Sequence, residues 1–368
     1  MSLNFRFAIA SDLHIGLPHT IPDNPFRFHR IEISIPNYEY VINQLRQLDL
    51  DFLLIPGDLT QDGEPDNHEW LSHALAQLPF PVYVIPGNHD AKQQDRTETS
   101  IGIAEFPTYY QKFGYRNPAQ LYYTCTPLPG LRLIGLNSVF FEPNGEQRYT
   151  GRLDQPQLEW LQQTLAEAEA EGDRVFVMVH HNVLEHLPNQ SKIRLGQRYM
   201  LENAPELVKI LQDYGVQLVF TGHLHVQDVA CQTHGRKRLY DICTGSLVSY
   251  PHAYRILHYR EPDDGNAQLT LESRRIHSAP EWPDLQTLSR EFMSDRSPYF
   301  IRRLLTSPPL NLSEQEAEPL LPHLRYFWST IADGDAQFDF SPLPKPVQTY
   351  FEAFNARDHW DNNAVLEL

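Results

Sequence analysis

Cysteine is scarce in this chain. The three residues Cys125, Cys231 and Cys243 in 368 are far apart, odd in number and free of any C-x-x-C spacing. That excludes a disulfide framework and a thiolate metal site, and it fits a reducing compartment, so a cytoplasmic protein is expected. Cys231 and Cys243 flank an expected hairpin turn at 234–237 and are the one pair a hairpin would bring face to face, buried free thiols being the other reading. Positive charge is also short: 30 Lys and Arg against 47 Asp and Glu give a formal charge of -17. Backbone binding to nucleic acid needs clustered Lys and Arg, so a general nucleic-acid surface is not expected. If the substrate is an anion, something other than net charge must hold it. Long apolar runs are missing as well. No stretch approaches the roughly 20 residues of a membrane-spanning helix, and Met1 to Phe7 carries no basic segment followed by an apolar one, so no membrane partner is expected. Internal repeats and low-complexity segments are absent from the sequence.

What the chain does have is material for a core: 41% hydrophobic and 11% aromatic residues, enough for one large α/β domain with an appendage or for two ordinary domains. Its centre is Leu53-Leu54-Ile55-Pro56-Gly57-Asp58, an apolar run stopped by proline and glycine and followed by a carboxylate. Large apolar residues in succession read as a strand buried on both faces, which presents Asp58 at its carboxyl end, where open α/β sheets place ligands. The same grammar recurs at Ile9-Ala10-Ser11-Asp12-Leu13-His14, Ile85-Pro86-Gly87-Asn88-His89-Asp90, Met178-Val179-His180-His181 and Phe220-Thr221-Gly222-His223-Leu224-His225. Five strand ends thus deliver Asp, His and Asn.

Between them, Tyr38, Val41, Ile42 and Leu45, and then Trp70, Leu71, Leu75 and Leu78, recur at helical spacing and predict two βαβ units with three parallel strands. Leu121 to Thr126 and Leu131 to Leu136 predict a hairpin, and Leu158, Leu161 and Leu165 a further helix. Four strand-like runs between Val226 and Ser273 have short turns and predict an antiparallel second sheet. From about Ser278 the texture changes to Pro-rich, aromatic, helix-signalled sequence, with Ser313 and Glu316 as a capping box and Val347, Tyr350, Phe351 and Phe354 as an apolar face. A catalytic domain over 1–277 and a helical extension over 278–368, packed on that domain or on a second subunit as a homo-oligomer contact, are expected.

Carboxylates, imidazoles and an amide oxygen suit first-row metals such as Mn, Fe or Zn. A central carboxylate can bridge two ions, and two bound cations would explain how an acidic chain holds a phosphate ester. Together, Asp12-Leu13-His14, Gly57-Asp58, Gly87-Asn88-His89-Asp90, His180-His181 and Gly222-His223-Leu224-His225 resemble, in order and spacing, the five signature blocks of the calcineurin-like metallophosphoesterases, closest to their bacterial cyclic-nucleotide and glycerophosphodiester phosphodiesterase branch. The resemblance covers about residues 5 to 260. It implies a four-layer αββα sandwich, two mixed β-sheets flanked by helices, with the C-terminal appendage outside it. It also implies hydrolysis of small phosphodiesters, with 3',5'-cyclic nucleotides foremost, by a hydroxide bridging two metal ions. A phosphomonoesterase or nucleotide pyrophosphatase on the same site is the alternative, and a non-catalytic binding module is disfavoured because every ligand stands.

Carried over by position, Asp12, His14, Asp58 and His225 would hold one metal, and Asp58, Asn88, His180 and His223 the other. His89 would serve the leaving oxygen, with Asp62 either orienting it or standing as a simple loop carboxylate. Either member of the doublet can be the ligand; His180 is preferred, with His181 behind it, and Asn182 stands where a proline is frequent. The other histidines, His29, His186 and His359 among them, are read as solvated or locally bonded, with only His19 and His252 expected near the rim. Specificity is expected from the 16–36 loop, the 90–115 segment and the extension.

Overall fold

The computed structural model describes every residue except Met1, Pro22, Asp23, Pro25, Phe26, Phe28, Arg236, Asp264 and 357–360. His359 therefore lies outside the described residues. Two six-stranded sheets form the centre. The first runs β12 (Asn363–Glu367), β11 (Gln268–Arg275), β10 (Ala253–Glu261), β1 (Leu3–Ile9), β2 (Phe52–Ile55), β3 (Val82–Val84). The second runs β4 (Tyr123–Leu128), β5 (Leu131–Gly135), β6 (Arg174–Met178), β7 (Leu218–Thr221), β9 (Lys237–Cys243), β8 (Asp228–His234). β1, β2 and β3 are parallel, as are β5, β6, β7 and β9, with antiparallel strands at the margins, so both sheets are mixed. With helices on the outside, this is the expected four-layer α/β sandwich.

The apolar runs explain the layering once they are split by parity, since successive strand side chains face opposite ways. Phe176, Met178, Leu218 and Phe220 of β6 and β7 join the core between the sheets. Val177, Val179 and Val219, the alternate residues, join a second core with Leu158, Leu161, Leu165 and Leu207, Leu211 of the helices Gln155–Glu171 and Ala204–Asp213. Rings close the gap between sheets: Phe5 lies 5.8 Å from Phe176 and Phe7 lies 5.6 Å from Phe220, centroid to centroid. A fully buried phenylalanine of this kind contributes about 1.5–3 kcal/mol. The helix Gln155–Glu171 starts where Asp154 accepts from Gln157 N, an N-cap, and stops at the left-handed Gly172.

Three expectations need correction. The four strands after Val226 do not form one antiparallel sheet: β8 and β9 extend the second sheet, while β10 and β11 cross back to the first, β10 lying directly against β1. Their alternation was legible, but the partner of each edge is set by the sandwich. In the β8–β9 hairpin Cys231 stands opposite Tyr240 and Cys243 opposite Asp228, so the two cysteines do not face each other, and none of the three is in a disulfide. The C-terminal region is helical, with Leu285–Thr306 and Lys345–Glu352 as its longest described helices and the capping box at Ser313 in place, yet it ends in β12, an edge strand of the first sheet. Its apolar side is covered by its own chain: Ile301, Leu305, Leu324, Phe327 and Phe351 share a core with Leu224, Val226, Cys243 and Tyr250.

Candidate metal centre

The five loops that follow β1, β2, β3, β6 and β7 meet at one edge of the sandwich because the strand ladders continue past the strands. Asp12 N donates to Gly57 O (3.2 Å) and His14 N to Asp58 O (2.9 Å), zipping the first two loops together. Gly222 N donates to His180 O (3.1 Å), joining the last two. Two bonds then cross between the sheets: His223 N to Asp12 Oδ1 (3.0 Å), and His180 Nδ1–H to Pro56 O (2.8 Å).

Backbone conformation is specialised here. Asp12, His14, Asp58, His223 and His225 all have φ between 42° and 64°. A side-chain-bearing residue in this left-handed region costs of order 1 kcal/mol or more, so five together are held by their surroundings rather than by preference. The signature glycines make room for this. A Cβ on Gly87 would collide with Asp58, and one on Gly222 with Ser11 and Asp12; Gly57, at φ 98°, would meet His180.

Two groups of donor atoms that include a carboxylate result, each lying within 4.8 Å of one another: Asp12, His14, Asp58 and His225 in one, and Asp58, His180 and His223 in the other. Asp58 belongs to both. His14 Nε2 is 3.3 Å from His225 Nε2 and 3.6 Å from Asp58 Oδ2, and His225 Nε2 is 3.1 Å from Asp12 Oδ1. On the other side His180 Nε2 is 3.3 Å from Asp58 Oδ2 and 3.2 Å from Asn88 Oδ1. The outward ring nitrogens are mostly occupied: His180 Nδ1 at Pro56 O, His223 Nε2–H at Arg198 O (3.0 Å) and His225 Nδ1 at Ser249 Oγ (3.2 Å). Each of those bonds leaves the other nitrogen turned inward, the arrangement that metal-binding histidines use. His14 differs, its Nδ1 being buried without a partner among the described residues. Imidazole nitrogens and carboxylate and amide oxygens converging this closely fit a pair of cations.

A family model described as calcineurin-like phosphoesterase matches residues 5–227. The chain belongs to the calcineurin-like phosphoesterase family. It is thus a metal-dependent phosphoric ester hydrolase. It is 30% identical over 229 residues to a probable cyclic nucleotide phosphodiesterase of Synechococcus, spanning 61% of this chain and 74% of that relative. It is 27% identical over 197 residues to a 3',5'-cyclic-nucleotide phosphodiesterase of Nostoc, spanning 53% and 63% of the two. The solved structure of a dimetal phosphatase from Danio rerio shares the fold, with a TM-score of 0.55 at 15% identity over 74% of this chain and 96% of that one.

Within this calcineurin-like centre the histidine doublet divides. His180 sits with Asp58 and His223, while His181, also buried, has Nδ1 2.8 Å from Ser138 Oγ and its ring 4.4 Å from that of His223. Asn182, in the place of the frequent proline, ties the doublet to the last loop by donating to Thr221 Oγ1 (3.1 Å) and Gly222 O (3.3 Å). His89 donates from Nδ1 to Gln61 O (2.5 Å), which turns Nε2 to the pocket. Asp62 Oδ1 lies 3.6 Å from that same Nδ1 and is closer to Lys92 Nζ, at 3.2 Å. The backbone carbonyl of Gln61, not Asp62, is therefore the nearer orienting group. Asp90 braces two loops, accepting from Thr60 N and Gly87 N; burial and then the Asp58 charge push its carboxyl up to about 7.

Charge within the group is balanced internally. Burial works against the Asp58 carboxylate, but the charges of His180 and His89 hold it well below the usual range. Burial likewise opposes the His180 imidazolium, yet Asp58 raises it to about 9.

One residue was missed. His29 was read as solvated or locally bonded, but its ring lies 4.7 Å from both His14 and His225 and 6.1 Å from His89, with Nδ1 buried and unpartnered among the described residues. It groups with His14 and His225 but not with the carboxylates. No spacing rule could find it, as it comes from the middle of a connection with no strand end before it. The two histidines expected at the rim are elsewhere: His19 is exposed and bonded to Asp66, and His252 is buried against Leu247 O.

Proposed function

We propose that the chain hydrolyses small phosphodiesters at a two-metal centre, with 3',5'-cyclic nucleotides as the first substrates to try because the Synechococcus and Nostoc relatives bear that description. The observation that carries this reading is the pair of donor groups sharing Asp58. Asp12, His14, Asp58 and His225 would hold one ion and Asp58, Asn88, His180 and His223 the other, Mn, Fe and Zn all suiting these donors. Bound ions would supply Lewis-acid polarisation of the phosphoryl group and the acidity that makes water a nucleophile near neutral pH.

The chain's own residues do the rest. Asn88 and His180 hold each other at 3.2 Å and keep the Asp58 side of the pocket in place. His89, fixed through Nδ1, holds Nε2 where a departing ester oxygen can take its proton, a contribution of about 10² to 10⁴-fold for a poor leaving group. His29, outside the carboxylate group, is placed to contact a non-bridging phosphoryl oxygen. We divide the chain into a catalytic part, 1–277, and an extension, 278–368, whose last strand returns to the catalytic sheet. The cytoplasmic setting proposed for it rests on three cysteines without a disulfide; no helix among the described residues is long and apolar enough to cross a membrane.

The test is metal analysis after reconstitution, followed by a panel of bis-nitrophenyl phosphate, nitrophenyl phosphate, cyclic AMP and a dinucleoside polyphosphate. About two ions per chain and diester turnover exceeding monoester turnover are expected. One ion or fewer removes the bridging role of Asp58, and a monoester preference makes this a phosphomonoesterase. In His89→Ala, cyclic AMP should lose far more rate than the nitrophenyl diester with metal content unchanged; equal losses would remove the acid role.

A further inference from the structure

A cavity of about 310 Å³ begins at His29, Asp58, His89, His223 and His225. It is at the small end of ligand pockets, which run about 300–1,000 Å³. Its remaining walls do not come from the 90–115 segment. They come from the stretch after the histidine doublet, with Leu187, Leu195 and Tyr199, and from the extension, with Met293, Phe300 and Trp328. The lining runs without a break from the metal ligands into these side chains: the Tyr199 ring is 5.1 Å from that of His223, and Phe300 packs 5.4 Å from Trp328. The extension residues lie beyond the 5–227 stretch that the family model matches.

Beyond the metal-ligand end, where His29 Nδ1 is unpartnered among the described residues, the buried side chains Gln190, Ser249 and Ser297 of this lining are already engaged. Gln190 Oε1 accepts from His186 N and Leu187 N while its Nε2 donates to Asn182 Oδ1; Ser297 Oγ is bonded at Ser294 O and Arg325 O; Ser249 Oγ meets His225 Nδ1. Arg198 and Arg303 are exposed, so their stems line the cavity while the guanidiniums reach water. A nucleobase edge turned to the apolar wall of Leu195, Met293, Phe300 and Trp328 would be left unmatched, which costs about 1–3 kcal/mol for each such group. A hydrocarbon leaves nothing unmatched.

Resting on the diesterase reading of the centre, we propose that the extension makes this cavity a hydrocarbon chamber, and that the substrate is a phosphodiester bearing an aliphatic chain, its phosphorus at the metal ligands and its chain against Tyr199, Phe300 and Trp328. The reaction is ordinary hydrolysis: water oxygen bonds to phosphorus, one P–O ester bond breaks, and the alcohol leaves with a proton.

The test is a series of methyl, butyl and octyl nitrophenyl phosphodiesters on the metal-loaded full chain, with the leaving group held constant. Burying each methylene predicts a rise in kcat/KM of about three- to fourfold until the chamber is full. In Phe300→Ala the octyl diester should lose roughly tenfold, more than the methyl one, and Trp328→Ala should do the same if Phe300→Ala does not fold. Equal kcat/KM along the series, with the methyl diester hydrolysed, overturns the chamber and leaves the diesterase standing. Cyclic AMP outrunning the octyl diester also overturns it, by making the lining a base site. If no diester turns over, the diesterase reading fails, and calorimetry with octylphosphonate against methylphosphonate still reads the chamber: tighter octyl binding supports it and equal binding overturns it.

Discussion

Two buried groups of histidine and carboxylate lie near the same edge of the second sheet, and they are built on opposite principles. In one, Asp241 accepts from Val183 N (2.7 Å), Leu184 N (2.9 Å) and Thr221 Oγ1 (2.6 Å), and His186 sits between Asp228, at 2.5 Å, and Asp241, at 3.3 Å. Both Asp241 oxygens have backbone or hydroxyl donors, although His186 Nε2, beside Asp241, makes no hydrogen bond among the described residues. Burial opposes the charge on His186, but Asp241 raises it to about 10. At the metal centre ring nitrogens face one another instead, as those of His14 and His225 do across 3.3 Å, and five of the residues sit in left-handed backbone. A carboxylate already matched by backbone and hydroxyl donors marks a structural ion pair; imidazoles and carboxylates converging on strained backbone mark a candidate cation site.

The sharpest way to separate the two is to remove one carboxylate from each. Asp58→Ala should lower kcat/KM by about 10³-fold or more, since the ions supply several kcal/mol of charge stabilisation and 1.36 kcal/mol is tenfold, and should drop metal content below one ion per chain. Asp241→Ala should do the reverse. Leaving His186 buried without its partner costs about 3–5 kcal/mol of stability, visible in urea titration, while the protein that remains folded still binds two ions. If Asp58→Ala keeps its metal, or Asp241→Ala keeps its stability, the distinction between the two groups is wrong.

The convergence of the candidate ligands was legible in the sequence because each follows an apolar run that ends a strand, and such runs announce both the strand and its end. Phe220-Thr221-Gly222-His223 needs no tertiary knowledge to be read that way. The ion pair was not legible: Asp241 lies within a strand whose alternation makes it look like any polar residue on a half-exposed face, and only the position of β9 beside β7 puts it under Val183. β12 was missed for a related reason. Its strand character comes from the free edge of β11, because Asn363–Glu367 is too short and too mixed to announce itself. The extension's place beside the cavity was partly foreseen, but the contribution of Leu187 to Tyr199 depends on how the loop folds back over His223.

Protons should compete with metal at one group and not at the other. His180 is raised to about 9 without metal, so at neutral pH its inward nitrogen carries a proton that a cation must displace. Metal affinity should therefore rise with pH, up to tenfold per unit from this group and about 100-fold between pH 6.5 and 8.5. The metal-free protein should behave oppositely. A histidine raised above its unfolded value near 6.5 stabilises the fold fully below that pH and loses the contribution as pH passes about 9. Competition titrations with Mn and a chelating dye, beside thermal melts of the metal-free protein, check both; a flat affinity across that window would mean that His180 is not protonated there.

His29 tests where the metal centre ends. Its ring is as close to His14 and His225 as a ligand's would be, which favours counting it among the ligands; its nitrogens nevertheless do not group with Asp12 or Asp58, which any ligand of that ion should approach. A substrate contact explains both facts. An imidazole over the ion and away from the carboxylates faces the space where phosphoryl oxygens would lie, and a hydrogen bond to a charged oxygen is worth about 1.5 kcal/mol, or roughly tenfold. His29→Ala should thus reduce kcat/KM about tenfold with two ions still bound and unchanged metal affinity. His29→Gln, which keeps a donor but is a poor ligand, should restore most of that loss. A fall in metal affinity in His29→Ala, unrelieved by glutamine, would instead move His29 into the ligand set and extend the metal centre into the 16–36 loop.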